Sequence, residues 1–93
     1  HPASLLRLKD GRVLLTYGVR EKGNRAISVR VSADEGKTWT APRPIVQLGD
    51  ARDMGYPSTV EWSDGTLVTA YYAAGIPEHQ RYHMGIVRWS LRE

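Results

Sequence analysis

Three groups of side chains have the types and spacing to do chemistry. Asp34 sits among hydroxyls in Ser32-Ala33-Asp34-Glu35-Gly36-Lys37-Thr38-Trp39, where a carboxylate could serve a metal or a reacting group. His79 and His83 are four residues apart, a spacing that on a helix turns two imidazoles to one face and suits a metal. Asp50, Arg52 and Asp53 lead into Tyr56 through a polar loop that could line a ligand entrance. Cysteine is absent, which excludes thiol nucleophiles, zinc-finger sites and dithiol redox chemistry.

Each group also has a plain structural reading. An Asp-x-Gly turn generally spends its carboxylate on its own backbone amides, and glycine supplies a φ that side chains resist. In that reading Asp34, Gly36 and Thr38 shape a turn, Ser32 closes it from the preceding strand, and Trp39 lays its indole on the sheet and donates its N–H. Gly75 and Pro77 flank the histidines and favour a hairpin loop over a helix, and no third ligand is placed nearby, so no metal and no cofactor are expected. The polar loop before Tyr56 reads by default as a solvated network.

The elements that must position these groups are strands. Ile27-Ser28-Val29-Arg30-Val31-Ser32 alternates apolar and polar residues, the pattern of a strand with one buried face. Ser4 to Leu8 and Arg12 to Tyr17 flank Asp10-Gly11, a hairpin signal. Ser58 to Trp62 and Thr66 to Tyr72 flank Asp64-Gly65 in the same way, and Met84 to Ser90 follows as another strand. No segment carries apolar residues at helical spacing over three turns. The pattern is an internal repeat: His1-Pro2-Ala3-Ser4 matches Tyr56-Pro57-Ser58-Thr59, Leu8-Lys9-Asp10-Gly11 matches Trp62-Ser63-Asp64-Gly65, and Val29-Arg30-Val31-Ser32 matches Val87-Arg88-Trp89-Ser90. A period of roughly 50 residues with four short strands is the signature of a propeller blade. The expected fold is therefore all-β: two blades, residues 1–49 with a fourth strand near Arg43 to Leu48, and residues 50–93 lacking the outer strand.

Ser32 to Trp39 matches Ser-x-Asp-x-Gly-x-Thr-Trp at every fixed position and resembles the Asp-box of the sialidase, or bacterial neuraminidase repeat, superfamily. Asp53-Met54-Gly55-Tyr56-Pro57-Ser58, followed by the Asp64-Gly65 hairpin, resembles the last-blade segment of exo-sialidases. That resemblance implies a six-bladed propeller and a glycoside hydrolase acting on sialylated glycans, with Tyr56 at the position of the nucleophilic tyrosine. Sialidases depart from the two-carboxylate pattern of glycosidases, and a neutral phenol is not repelled by the substrate's own carboxylate. The same resemblance implies an arginine clamp for that carboxylate, for which a guanidinium fork is suited. Arg25 is the first match and Arg20 the second, with a solvated hairpin loop as the alternative reading of both. Asp53 and His1 are the further expected ligand-lining residues, His1 because the repeat matches it to Tyr56, with a strand cap as its alternative reading.

The chain departs from the family pattern at Pro57, where serine is common, and at Tyr72, where glutamate is common. Glu61 lies an odd number of residues from Tyr56 along one strand and so is expected on the opposite face. The family's acid, base and remaining arginines belong to other blades, so a complete catalytic set is not expected in this chain. Trp62, Trp89, Tyr17, Tyr71 and Tyr72 read as packing between blades. Thirteen Lys and Arg against ten Asp and Glu give only +3, spread along the chain, which does not argue for nucleic acid. No apolar run reaches the roughly 20 residues of a membrane span. Two blades leave broad apolar faces without a neighbour, so the expected partners are missing blades or further copies of the chain, three copies giving six blades. A non-catalytic glycan-binding propeller and a purely structural assembly module are the alternatives to a sialidase-like hydrolase.

Overall fold

The computed structural model describes residues 3–21, 23–49, 53–75 and 82–91. Among them the chain forms seven strands and no helix: β1 (Ala3–Arg7), β2 (Val13–Val19), β3 (Arg25–Ser32), β4 (Arg43–Gly49), β5 (Asp53–Glu61), β6 (Leu67–Ala74) and β7 (His83–Trp89). Each pairs with its sequence neighbour in antiparallel fashion, giving a four-stranded sheet β1-β2-β3-β4 and a three-stranded sheet β5-β6-β7. These are two blade-like meanders. β5 lies against both β1 and β2, so the second sheet stacks face-on upon the first.

The two Asp-Gly hairpins are built alike. Leu8 N donates to Arg12 O at 2.7 Å and Gly11 N to Leu8 O at 2.9 Å; Trp62 N donates to Thr66 O at 2.8 Å and Gly65 N to Trp62 O at 2.9 Å. Only the glycines take positive φ, at 95° and 89°. The aspartates act differently from the sequence reading, which gave them the same backbone tolerance: Asp10 and Asp64 each accept the backbone N–H two residues ahead, at 3.0 and 2.9 Å. A three-residue loop closed by a left-handed glycine suits the twist of the flanking strands.

Two further expectations are corrected. β3 is buried along nearly its whole length, on both faces, rather than on one; it is an interior strand, paired on both sides by β2 and β4 and covered by the second sheet on one face. The repeat register also differs. Ser4, Thr16 and Val29 form one cross-strand row of the first sheet, and Ser58, Ala70 and Ile86 form the equivalent row of the second. Val29 therefore corresponds to Ile86, not Val87, and in a strand a one-residue slip exchanges the faces. The similar tetrapeptides Val29–Ser32 and Val87–Ser90 thus point their apolar residues in opposite directions.

Between the sheets lie two apolar clusters, one around Leu8, Leu14, Val29, Val31 and Leu67, the other around Ile27, Leu48, Met54 and Ala73. A buried run of hydroxyls crosses the same interface. Trp89 Nε1 donates to Thr69 Oγ1 at 2.9 Å, Thr69 and Thr59 share a hydrogen bond of 2.7 Å, and Thr59 and Thr16 share one of 2.9 Å. Each hydroxyl can donate to the next, so every member of the row has a partner inside the interface. It ties β2 of one sheet to β5 and β6 of the other at a single register.

The Ser32–Trp39 turn joins β3 to β4 as expected. Asp34 Oδ1 accepts Thr38 N and the Ser32 hydroxyl, both at 2.8 Å, and Oδ2 accepts the Thr38 hydroxyl at 2.6 Å. Ser32 Oγ in turn accepts Gly36 N at 2.8 Å, and Trp39 Nε1 donates to Gly36 O at 3.1 Å. Arg7 anchors the turn to β1 by a two-point pair with Glu35 at 2.9 and 3.0 Å. The Thr38 hydroxyl and amide and the Ser32 hydroxyl hold the Asp34 carboxyl down to about 2. A carboxyl depressed in the fold adds stability that is complete above its unfolded pKa and is lost as pH falls through the folded value. Acid titration of thermal stability between about pH 4 and pH 2 is therefore expected to fall more steeply for the native chain than for Asp34→Asn; parallel curves would contradict that role for the turn.

Candidate functional site

All strand ends fall at two poles. One carries the hairpins and the Ser32–Trp39 turn. The other carries the start of β3, the end of β4, the start of β5 and the end of β6, and there Tyr56, Asp53 and Arg20 come together. Tyr56 stands on a bulge: Gly55 pairs with Tyr72 and Ser58 with Ala70, so Tyr56 and Pro57 together oppose the single residue Tyr71. A bulge re-aims side chains that plain alternation would send to one face. Tyr56 has φ 49°, a left-handed conformation that a bulky residue rarely adopts. Its side chain is displayed outward, with 65% of the residue exposed.

Beside it lie two more tyrosines. The Tyr56 and Tyr72 rings are 5.4 Å apart and tilted by 34°, and the Tyr72 and Tyr82 rings are 5.7 Å apart, edge to face. Asp53 and Arg20 buttress this ledge from behind. Tyr82 donates its hydroxyl to Asp53 Oδ2 at 2.8 Å, and Met54 N donates to Asp53 Oδ1 at 2.9 Å. Arg20 Nη1 donates to Asp53 Oδ1 at 2.9 Å, while Nη2 reaches Met54 O at 2.6 Å and the Tyr72 hydroxyl at 3.3 Å. The Tyr82 hydroxyl first, then the Met54 amide and the Arg20 guanidinium, lower the Asp53 carboxyl below its usual range. Gly55 makes room for the arrangement: its φ is 148°, and a Cβ there would sit 3.2 Å from Arg20 Nη2.

The expected site residues thus divide. Tyr56, Asp53 and Arg20 converge; Arg20 spends its fork on Asp53, a carbonyl and a phenol. Arg25 begins β3 at the same pole, and its Nε is buried with no hydrogen-bond partner among the described residues. Glu61 is at the far end of β5, where its Oε1 accepts Lys9 N at 2.8 Å. No described residue hydrogen-bonds the Tyr56 hydroxyl. His1, Asp50, Arg52 and His79 lie outside the described residues, and His83 begins β7. Among the described residues no group of three or more His, Asp or Glu is arranged to hold a metal. Ser32, Asp34, Gly36, Thr38 and Trp39 form their turn at the opposite pole.

The reading of the aromatics as packing holds for Trp89 and Tyr71, which lean on the two apolar clusters. Tyr72 stands on the ledge, and Trp62 is exposed with the Arg88 guanidinium 5.3 Å above its ring, so neither packs between these two sheets. Tyr82 was not singled out by sequence. Its position just before β7, across from the Asp53 end of β5, becomes visible only once the strand pairing is known.

Two antiparallel blade-like sheets, joined within the first by an Asp-box and bearing a tyrosine ledge at the opposite pole, define a segment of a propeller. The family model for the BNR repeat-like domain matches residues 2–69, most of the chain, and the protein belongs to that family. No curated protein and no solved structure matches it.

Proposed function

We propose that this chain is a sialidase-like propeller segment whose Tyr56–Tyr72–Tyr82 ledge binds an acidic sugar of the sialic acid class, and that the chain alone does not turn such glycans over. The observation that carries the reading is Tyr56 itself, held at positive φ on a bulge and exposed beside a second aromatic ring. A bulky residue in that conformation costs of order 1–3 kcal/mol, which native structures retain mainly at functional positions. Adjacent phenol rings offer a sugar both an apolar face and hydroxyl partners, and Arg25 brings a guanidinium to the same pole, the group suited to a ligand carboxylate.

Turnover has less support. A phenol attacks an anomeric carbon well only beside a general base, and among the described residues no carboxylate touches the Tyr56 hydroxyl. The non-catalytic reading is favoured over hydrolysis by that one observation. A fluorogenic sialoside assay alongside a glycan array tests both parts. The expected outcome is no release of fluorophore and retention of sialylated glycans over their neutral counterparts, weakened by Arg25→Ala. Equal retention of neutral and sialylated glycans, or none of either, would overturn the binding reading; release of fluorophore abolished by Tyr56→Phe would overturn the non-catalytic one.

A further inference from the structure

The contact between the two sheets is a template for a second contact. The face of the first sheet that meets its neighbour carries Leu6, Leu14, Thr16 and Val29. By cross-strand register the equivalents on the second sheet are Val60, Val68, Ala70 and Ile86, and that face is uncovered: Val60 is 52% exposed and Ile86 71%. Conversely, the face of the second sheet that meets the first carries Thr59, Leu67 and Thr69. Their equivalents on the first sheet are Leu5, Val13 and Leu15, on the other uncovered face, where Leu5 is 68% exposed.

The substitutions between these sets are concerted. Inside the chain, Thr16, Thr59 and Thr69 meet and satisfy one another. At the free faces the same three positions are Ala70, Leu5 and Leu15. If one position had stayed polar, docking would bury an unpaired hydroxyl, at about 1–3 kcal/mol. All three changed, so the free faces fit each other as an apolar set where the internal pair fits as a hydroxyl set.

We infer that a second copy of this chain docks its Val60–Ile86 face on the Leu5–Leu15 face of the first, repeating the internal sheet-on-sheet packing. The contact continues an interface the chain already makes, and its two halves lie on opposite sides of one molecule. A head-to-tail contact of this kind closes into a ring when its rotation closes, as the blade-to-blade rotation of a propeller does. Propellers hold about 4–8 blades, and three two-bladed copies fill the middle of that range with six. Each free face also bears an arginine, Arg30 and Arg88, so raising the salt concentration screens their repulsion and tightens the assembly.

Sedimentation velocity on the 93-residue chain at micromolar concentration reads this directly. The expected particle has about three times the 10.5 kDa chain mass. Leu5→Lys alone and Ala70→Glu alone are each expected to reduce it to the single chain, and the two combined in one chain to restore it, since every contact then pairs opposite charges. Circular dichroism and thermal unfolding of each variant verify that the β fold persists, because neither side chain belongs to the internal clusters. A folded native chain of single-chain mass, or an assembly that neither single substitution dissociates, would overturn the docking.

Discussion

Thr59→Val is expected to destabilise the chain by about 1–3 kcal/mol while barely changing its shape or volume. Valine replaces a hydroxyl with a methyl, so the loss is chemical, not steric. Thr16 and Thr69 then each lose a partner inside a buried interface, where Thr16 is left unpaired and bears the desolvation cost of its hydroxyl. Thr59→Ser keeps the hydroxyl and removes one methyl, and is expected to cost less. For a small domain with total stability in the low end of about 5–15 kcal/mol, the valine substitution removes a large fraction. Urea unfolding followed by tryptophan fluorescence gives both values. A midpoint for Thr59→Val equal to the native one, or lower for the serine than for the valine variant, would show that the hydroxyl row does not hold the sheets together.

Asp53→Ala is expected to disperse the ledge and weaken acidic-sugar binding by about tenfold or more, a factor worth about 1.4 kcal/mol. One carboxylate accepts the Tyr82 hydroxyl, the Met54 amide and the Arg20 guanidinium, so a single substitution removes an anchor of the third ring and of the cation that touches the second. The same logic fixes a pH dependence. Because the Asp53 carboxyl is depressed in the fold, its contribution is present above the ordinary aspartate range and declines only as pH drops below it. Native binding should therefore hold from neutral pH down to about 4 and fall below that, whereas Asp53→Asn, which keeps an acceptor but not the charge, should be weak throughout. Binding by Asp53→Ala at native strength would separate the ledge from the ligand.

Much of this was readable in the chain because it rests on local chemistry. The hairpins declare themselves through Asp10-Gly11 and Asp64-Gly65, and the β3–β4 turn through Ser32 to Trp39, since every partner lies within a few residues. The site was legible only where a motif names it, as at Tyr56. Tyr72 and Tyr82 join it through a bulge and a strand pairing that bring together residues 53, 56, 72 and 82, and no local spacing encodes that. The β3 faces were misjudged for a related reason: Ser28 and Ser32 read as solvent-facing by polarity, yet both are buried, Ser32 to cap the turn. The threonine row was invisible in the same way, because isolated threonines on strands are ordinary and only stacking two sheets makes them one network.

The most direct test of the ledge is a chemical-shift titration of the chain with N-acetylneuraminic acid. Saturable shifts are expected at Tyr56, Tyr72 and Tyr82 and at the Arg25 end of β3, with the Asp34 turn at the other pole unmoved and the response lost in Tyr56→Ala. Shifts confined to the Asp34 pole, no saturable shifts at all, or an undiminished response in Tyr56→Ala would contradict a sugar site at Tyr56.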